Sequence, residues 1–313
     1  MFSRYLDPKN DLAFKKVFGQ EKHKRIPIAF LNAIFNFSGK DEIIDLEFLD
    51  PKQPPEIEAR KESIVDLLVR DKQGSKYIIE MQVAKIAGFE KRAQYYAAKT
   101  YCTHFNAGDP YYDLKKVVFL AITDYLQFPQ KQAYKSNHSI IDLQTSENDL
   151  KDFHFTFVEL PKFTKTLEEI TTLEEKWYYF LKHAEESNTI NEIFESNPEI
   201  KEAYSVLERI RWSEQDLQWY DRTAMATADA RGRIEQGREE GREEGREEGR
   251  KEGREEGRKE GREEGIVIGE GKGKTEEKRE IARNLLLQKI SIEIISKTTG
   301  LSKKEIESLK GKE

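Results

Sequence analysis

A glycine recurs at every fourth position from Gly237 to Gly265, in the pattern GREE or GRKE. Positions 238–264 hold nine basic residues, twelve acidic residues and no apolar residue, so this segment cannot bury a core. Arginine lies four residues from arginine and glutamate from glutamate, so these pairs repel, and each glycine costs a helix about 1 kcal/mol relative to alanine. The repeat therefore predicts a solvated spacer at 231–275. It separates residues 1–230 from a module at 276–313.

Composition limits what the rest of the chain can be. Of the 313 residues, 37% are hydrophobic, which predicts one core, and the net charge of -6 means that binding to nucleic acid would need a local basic surface. Cys102 is the only cysteine, which excludes an intrachain disulfide, and we expect it to be a buried structural thiol. No apolar run approaches the roughly 20 residues that span a bilayer, and no signal-peptide pattern is present. The sequence thus predicts a cytoplasmic protein without a membrane partner.

Hydrophobic periodicity predicts an α/β fold. The predicted helices cover residues 7–37 and 88–105, and the predicted strands cover residues 42–50, 62–70, 76–84, 116–123 and 153–160. This order favours a mixed sheet with helices packed on it. Residues 166–225 look wholly helical, and we interpret their large aromatic residues as core and not as a base-stacking platform: Trp177, Tyr178, Phe180, Trp212 and Trp219.

The second and third predicted strands form a hairpin that brings two acids together. If DKQGS is the loop, Arg70 lies opposite Lys76, and the same register places Asp66 opposite Glu80. Their Cβ atoms would then be about 5 Å apart. Gln82 lies two residues further on and points to the same face. A loop longer by one residue would move these side chains to opposite faces.

Two opposed carboxylates repel each other unless something compensates. One compensating group is a divalent cation, since carboxylate oxygens suit Mg²⁺ or Mn²⁺. A second compensating group is a nearby lysine or arginine that forms an ion pair with the acids. Alternatively, the acids lie on a solvent-exposed face, where water screens their repulsion. The neighbouring positions are apolar, which favours a functional or paired role for both acids.

Two sequence motifs resemble a known enzyme family. An acid in Val-Asp, a hairpin turn and then Glu-Met-Gln on the next strand resemble the PD-(D/E)XK nuclease superfamily. The opening DPKNDLAFKKVF and the run IIEMQ followed by RAQYY are similar to the recombination-promoting nuclease (Rpn) family, whose members are also called transposases. The similarity covers residues 5–230 and extends to the glycine-spaced tail. It implies a restriction-endonuclease-like fold and metal-dependent hydrolysis of DNA.

Carried over by motif, the resemblance implies that Asp66 and Glu80 bind the metal and that the backbone carbonyl of Met81 completes its shell. Gln82 stands where the superfamily has a lysine. Glutamine can orient a water molecule, but it carries no positive charge and cannot act as a base. Lys85 would lie on the opposite face of a straight strand. We therefore predict that Asp66, Glu80 and Gln82 are catalytic and that the cofactor is Mg²⁺ or Mn²⁺.

Further residues are weaker candidates. Asp11 would add a carboxylate to the site, or it serves only as an acid in the first turn of its helix. Arg92 and Gln94 follow the hairpin on a helix and would approach the DNA backbone, or they are solvated. The N-terminal basic residues would contact phosphates or form a solvated helix face: Lys9, Lys15, Lys16, Lys22, Lys24 and Arg25.

Residues 276–313 predict a small helical hairpin that turns at Gly300, where Ser302 can cap the second helix. The turn would suit a helix-turn-helix, but the second helix, SKKEIESLKG, places glutamates beside its first lysines. We therefore expect this tail to pack against another copy of the chain or against the preceding domain, giving a homo-oligomer. DNA reading by the tail is the alternative.

Three functions fit these features. The first is an endonuclease that hydrolyses DNA and promotes recombination or the activity of mobile elements. The second is a nuclease fold with a weakened site, kept for binding DNA or protein, which the glutamine at position 82 leaves open. The third is an assembly factor that acts through the tail.

Overall fold

The computed structural model describes residues 3–53, 63–104, 109–187, 190 and 192–310. Its strands are Leu46–Phe48 (β1), Lys52–Gln53 (β2), Ser63–Ile64 (β3), Leu67–Asp71 (β4), Lys76–Gln82 (β5), Val117–Thr123 (β6), Lys135–Ser139 (β7) and Phe153–Glu159 (β8). Its α-helices are Asp11–Phe18 (α1), Arg25–Phe35 (α2), Phe89–Cys102 (α3), Leu173–His183 (α4), Pro198–Leu207 (α5), Glu214–Leu287 (α6), Ile292–Thr299 (α7) and Lys303–Ser308 (α8). Part of the predicted strand 62–70 lies outside the described residues, at position 62.

Six strands form one mixed sheet in the order β1-β4-β5-β6-β8-β7, and β2 pairs with β3 separately. The β4–β5 and β7–β8 pairs are antiparallel, whereas β5–β6 and β6–β8 are parallel. The predicted α/β class with a mixed sheet is confirmed. The edge strand β7 was not predicted, because its sequence KSNHS is polar throughout and lacks the alternation that marks a half-buried strand.

Helices cover both faces of the sheet. On one face, apolar side chains of β5 such as Tyr77, Ile79 and Met81 share a core with buried residues of α1, α2, α4 and α5. On the other face, Ile78 shares a smaller core with α3, which contributes Phe89 among others. Alternation along β5 therefore directs Glu80 and Gln82 to the face that α3 covers.

Three predictions of burial and helical structure are wrong. The region 166–225 is not wholly helical, since α4, α5 and the start of α6 are separated by irregular segments. Trp219 is 51% exposed, and the Arg222 guanidinium lies 5.4 Å from its ring centroid. Cys102 is exposed as the last residue of α3, because its side chain falls on the solvent side of that helix. Trp177, Tyr178, Phe180 and Trp212 are buried as expected.

The charged repeat is helical within α6, contrary to the expectation of a marginal helix. Arginine, glutamate and lysine have high helix propensity, and a helix that is already formed extends without a new nucleation cost. In the GRKE repeats, a lysine replaces one glutamate, and Lys251 Nζ lies 3.9 Å from Glu247 Oε2 in an attractive i,i+4 pair. No helix in the described part of the chain has the length and apolar character of a membrane span.

The chain divides into a unit of residues 1–235 and a unit of residues 236–313. In the second unit, the end of α6 packs with α7 and α8 around Ala282, Ile295, Leu301 and Ile306. Gly300 forms the predicted turn with φ +74°, a conformation that favours glycine. The predicted cap at Ser302 is also present, as a capping box with Glu305.

Candidate active site

The β4–β5 hairpin has the register that the sequence predicts. Arg70 pairs with Lys76, and Leu67 pairs with Ile79. The register depends on the turn, where Asp71 accepts a hydrogen bond from Ser75 N–H at 2.9 Å through its side chain and Gly74 adopts φ +89°. One step beyond the last pair, Asp66 lies opposite Glu80.

Each carboxylate accepts a hydrogen bond from a backbone N–H of the opposite segment of the hairpin. Met81 N–H donates to Asp66 Oδ2 at 2.8 Å, and Asp66 N–H donates to Glu80 Oε1 at 3.3 Å. Glu80 is only 2% exposed. The arrangement with both acids on a solvent-exposed face is therefore wrong, since at least one of them lies in the protein interior.

Only part of the repulsion between the acids is compensated by side chains. Gln82 Nε2 donates to Glu80 Oε2 at 2.9 Å, and Arg92 Nη2 lies 3.6 Å from the same oxygen. Burial raises the pKa of Glu80, and the neighbouring Asp66 carboxylate raises it further, while Arg92 opposes both effects. Burial also raises the pKa of Asp66. The pair therefore needs additional positive charge to remain ionised at neutral pH.

This donor set fits a hard divalent cation. Asp66, Glu80 and the carbonyl of Met81 offer oxygen ligands, which Mg²⁺ and Mn²⁺ prefer. Within the described ranges, no cluster of three or more histidine, cysteine or acidic side chains is placed to hold a metal. A cation here would therefore depend on backbone carbonyl, water or substrate oxygens for the rest of its shell.

The N-terminal helix α1 brings further charge to the site. Asp11 raises the pKa of Asp66, whereas Lys15 lowers it, and these two side chains form an ion pair at 2.7 Å. Asn10 caps α1 by accepting from Leu12 N–H at 3.0 Å. Asn10 and Val83 line the same cavity, so the start of α1 lies beside the end of β5.

The family model described as PD-(D/E)XK nuclease family transposase matches residues 8–237. The chain belongs to this nuclease family. A second model, described as the C-terminal HTH domain of the Rpn/YhgA-like nuclease family, matches residues 275–311 and confirms the resemblance to the Rpn family. No curated protein and no solved structure matches the chain.

The second match supports DNA binding by the tail, which was the alternative drawn from the sequence. The sequence favoured a hairpin that packs on another copy or on the preceding domain, whereas the match identifies a helix-turn-helix domain. In the second unit, three helical segments enclose a core of their own, and Leu287 is left 82% exposed. Packing of the tail on another copy stays a prediction.

Several candidates of the nuclease domain do not reach the carboxylates. Gln94 is exposed and donates to Glu90 O of its own helix at 3.1 Å. Lys85 Nζ donates to Leu126 O at 3.1 Å, so it supplies no charge to the site. Within the N-terminal basic cluster, Lys9 pairs with Asp7 at 3.1 Å and Lys16 pairs with Asp216 at 2.9 Å. These two lysines therefore pair with acids other than Asp66 and Glu80.

The sequence missed two contributions to the nuclease site. Lys15 was recognised only as part of a basic cluster, although its i,i+4 spacing from Asp11 indicates that both lie on one side of α1. Arg231 of α6 donates to Val83 O at 3.0 Å and to Asp124 Oδ2 at 2.7 Å. Asp124 N–H in turn donates to Gln82 O at 2.8 Å, which fixes the end of β5. No sequence signal links residue 231 to that strand.

Proposed function

We propose that the protein is a metal-dependent DNA endonuclease in which Asp66 and Glu80 hold Mg²⁺ or Mn²⁺ together with the carbonyl of Met81. The observation that carries this proposal is the pair of opposed carboxylates, one of them almost fully buried, with too little positive charge around them. A purely structural pair of acids would destabilise the fold without return. Membership of a nuclease family supports the same role.

Each side chain has a distinct part in the proposed reaction. A divalent cation, when bound, polarises the phosphodiester and lowers the pKa of a bound water molecule. Gln82, whose amide N–H₂ is committed to Glu80, keeps its carbonyl oxygen as an acceptor that orients the attacking water. Arg92 is packed between the rings of Phe89 and Tyr96, at 4.9 and 5.7 Å, and holds positive charge beside Glu80 for the substrate phosphate.

The second unit would bring the nuclease to DNA. The helix-turn-helix match supports DNA binding by residues 275–311. Lys303 Nζ forms an ion pair with Glu293 Oε1 at 2.8 Å, so little positive charge of this unit is left to contact phosphates. We therefore expect the DNA affinity to depend only weakly on salt concentration. Exposed Leu287 and Ile294 would support a homo-oligomer through the same unit. Promotion of recombination is the biological role that this activity would serve.

A second candidate function is a weakened nuclease fold that binds DNA or protein without cleaving it. Gln82 favours this alternative, because the site lacks the lysine of the superfamily motif. The test compares nicking of supercoiled plasmid by wild type, Asp66→Asn and Glu80→Gln, with Mg²⁺, with Mn²⁺ and with EDTA. We expect metal-dependent nicking by wild type alone.

The control variant is Lys85→Gln, which changes a charge near the hairpin but outside the site and should cleave as wild type does. Equal nicking by all four proteins would show that the activity comes from a contaminant or another site. If wild type binds DNA but does not nick it, the protein is instead a nuclease fold with a weakened site that binds DNA without cleaving it.

A further inference from the structure

A second cavity lies on the sheet away from the carboxylates. It encloses about 330 Å³ and is lined in part by Val118, which belongs to the core on the α1 and α2 side of the sheet. Lys116 immediately precedes β6, and His154 is the second residue of β8, so the cavity lies at the amino ends of these parallel strands. Glu80 lies on the opposite face, near the carboxyl end of β5. The cavity is therefore separate from the proposed nuclease site.

Two aromatic rings form one wall of this cavity. Helix α2 ends at Phe35, and Asn36 adopts a left-handed conformation with φ +52°, which turns the chain back. Phe37 therefore stacks on Phe35 with ring centroids 5.3 Å apart, and the ring of His154 lies 6.1 Å from Phe35. Both phenylalanines are only partly buried. The turn thus leaves both rings partly exposed at the wall of the cavity.

Three lysines supply the charge of the remaining lining. Lys135 is compensated, since its Nζ lies 2.7 Å from Glu174 Oε1. Lys116 Nζ instead lies 5.4 Å from the ring centroid of Phe37, and within the described part of the chain neither Lys116 nor Lys151 forms an ion pair. Burial, together with Lys116 and Lys135, lowers the pKa of His154. The cavity therefore has a net positive potential with two cations free to bind an anion.

We propose that this cavity binds a nucleotide, with the base against the exposed parts of the Phe35 and Phe37 rings and the phosphate at Lys116 and Lys151. Stacking on aromatic side chains accepts any base, and lysine ammonium groups bind phosphate as point charges. The cation over Phe37 places the phosphate contact beside the ring contact. The volume falls within the range of small-molecule sites, roughly 300–1,000 Å³. The same chemistry is offered by a free nucleotide and by a nucleotide of a nucleic-acid strand.

Calorimetric titration of the full chain with dAMP tests the site. We expect one dAMP to bind per chain. Lys116→Gln combined with Lys151→Gln should weaken binding at least tenfold, and Phe37→Leu should weaken it while leaving the melting temperature close to that of wild type. Lys115→Gln, a neighbouring lysine outside the cavity, is the matched control and should bind as wild type. Asp66→Asn should also bind as wild type, since the carboxylate pair lies elsewhere.

Parallel titrations separate the two sources of the ligand. If a short single-stranded oligonucleotide binds wild type more tightly than dAMP and loses that affinity in the double lysine variant, the cavity takes nucleic acid; if the variant changes only the binding of dAMP, the cavity takes a free nucleotide. Deoxyadenosine and inorganic phosphate should each bind at least tenfold more weakly than dAMP. The proposal fails if neither dAMP nor the oligonucleotide binds, if phosphate alone binds as tightly as dAMP, or if the double lysine variant retains wild-type affinity.

Discussion

Asp66→Asn should stabilise the metal-free protein at neutral pH. The substitution removes one of two adjacent carboxylates, while the Asn carbonyl can still accept the 2.8 Å hydrogen bond from Met81 N–H. Burial raises the pKa of both acids in the folded state. Each tenfold rise in the proton affinity of a buried acid costs about 1.4 kcal/mol when the group is ionised. Relief of a tenfold to hundredfold rise therefore predicts a gain of about 1–3 kcal/mol in the free energy of unfolding.

The sign of the pH dependence follows from the same shifts. Because the folded protein holds these protons to higher pH than the unfolded chain does, the folded state binds more protons above the ordinary carboxyl pKa. Wild-type stability should therefore fall as pH rises through that range towards the raised folded-state pKa values. The gain from Asp66→Asn should be largest at pH 8 and should be much smaller at pH 4, where the folded protein holds both protons and the acids of the unfolded chain are themselves about half protonated.

Urea denaturation in EDTA at pH 4 and pH 8 measures the effect. Asp71→Asn is the matched control, because Asp71 is a buried acid of the same hairpin whose oxygens are satisfied by Ser75 N–H and the Tyr77 hydroxyl, at 2.9 and 3.0 Å. That variant should lose stability. Addition of Mg²⁺ at about 100 times its dissociation constant should stabilise wild type by about 2.7 kcal/mol and leave Asp66→Asn unchanged. A loss of more than about 1 kcal/mol in metal-free Asp66→Asn at pH 8 would identify a structural role for this carboxylate and refute the reasoning.

Three further predictions concern other parts of the molecule. Lys15→Met should lower kcat of plasmid nicking at least tenfold with little change in DNA affinity, whereas Lys16→Met should keep wild-type kcat. Adding Gln82→Lys to Lys15→Met should restore kcat, and no rescue would mean that Lys15 does not supply the positive charge that Gln82 lacks. Removal of residues 236–313 should retain metal-dependent nicking but weaken DNA binding in a gel-shift assay, and unchanged affinity would contradict a DNA-binding tail. Asn10→Ala should cost about 1–2 kcal/mol in urea denaturation, since α1 loses its cap, and a cost below about 0.5 kcal/mol would show that the cap is dispensable.

The register of the β4–β5 hairpin was predictable because it depends on local sequence. A turn with glycine at position 74 fixes which residues pair, and strand alternation then places Asp66, Glu80 and Gln82 on one face. The α/β order and the resemblance to the Rpn family were also present in the sequence. Residue type and helical spacing do not fix burial, however, so Cys102 and Trp219 were placed inside although the folded chain leaves both exposed.

The electrostatics of the site were decided only by the tertiary structure. Arg92 reaches Glu80 because α3 packs over that face of the sheet, and Lys15 acts on Asp66 because the start of α1 lies beside the end of β5. Arg231, far along the chain, fixes the strand end through Val83 and Asp124. A sequence shows which residue types are available, but charge interactions depend on distance and burial in space. Packing of distant segments therefore determines which cations balance the two acids and how much charge is left for a metal ion.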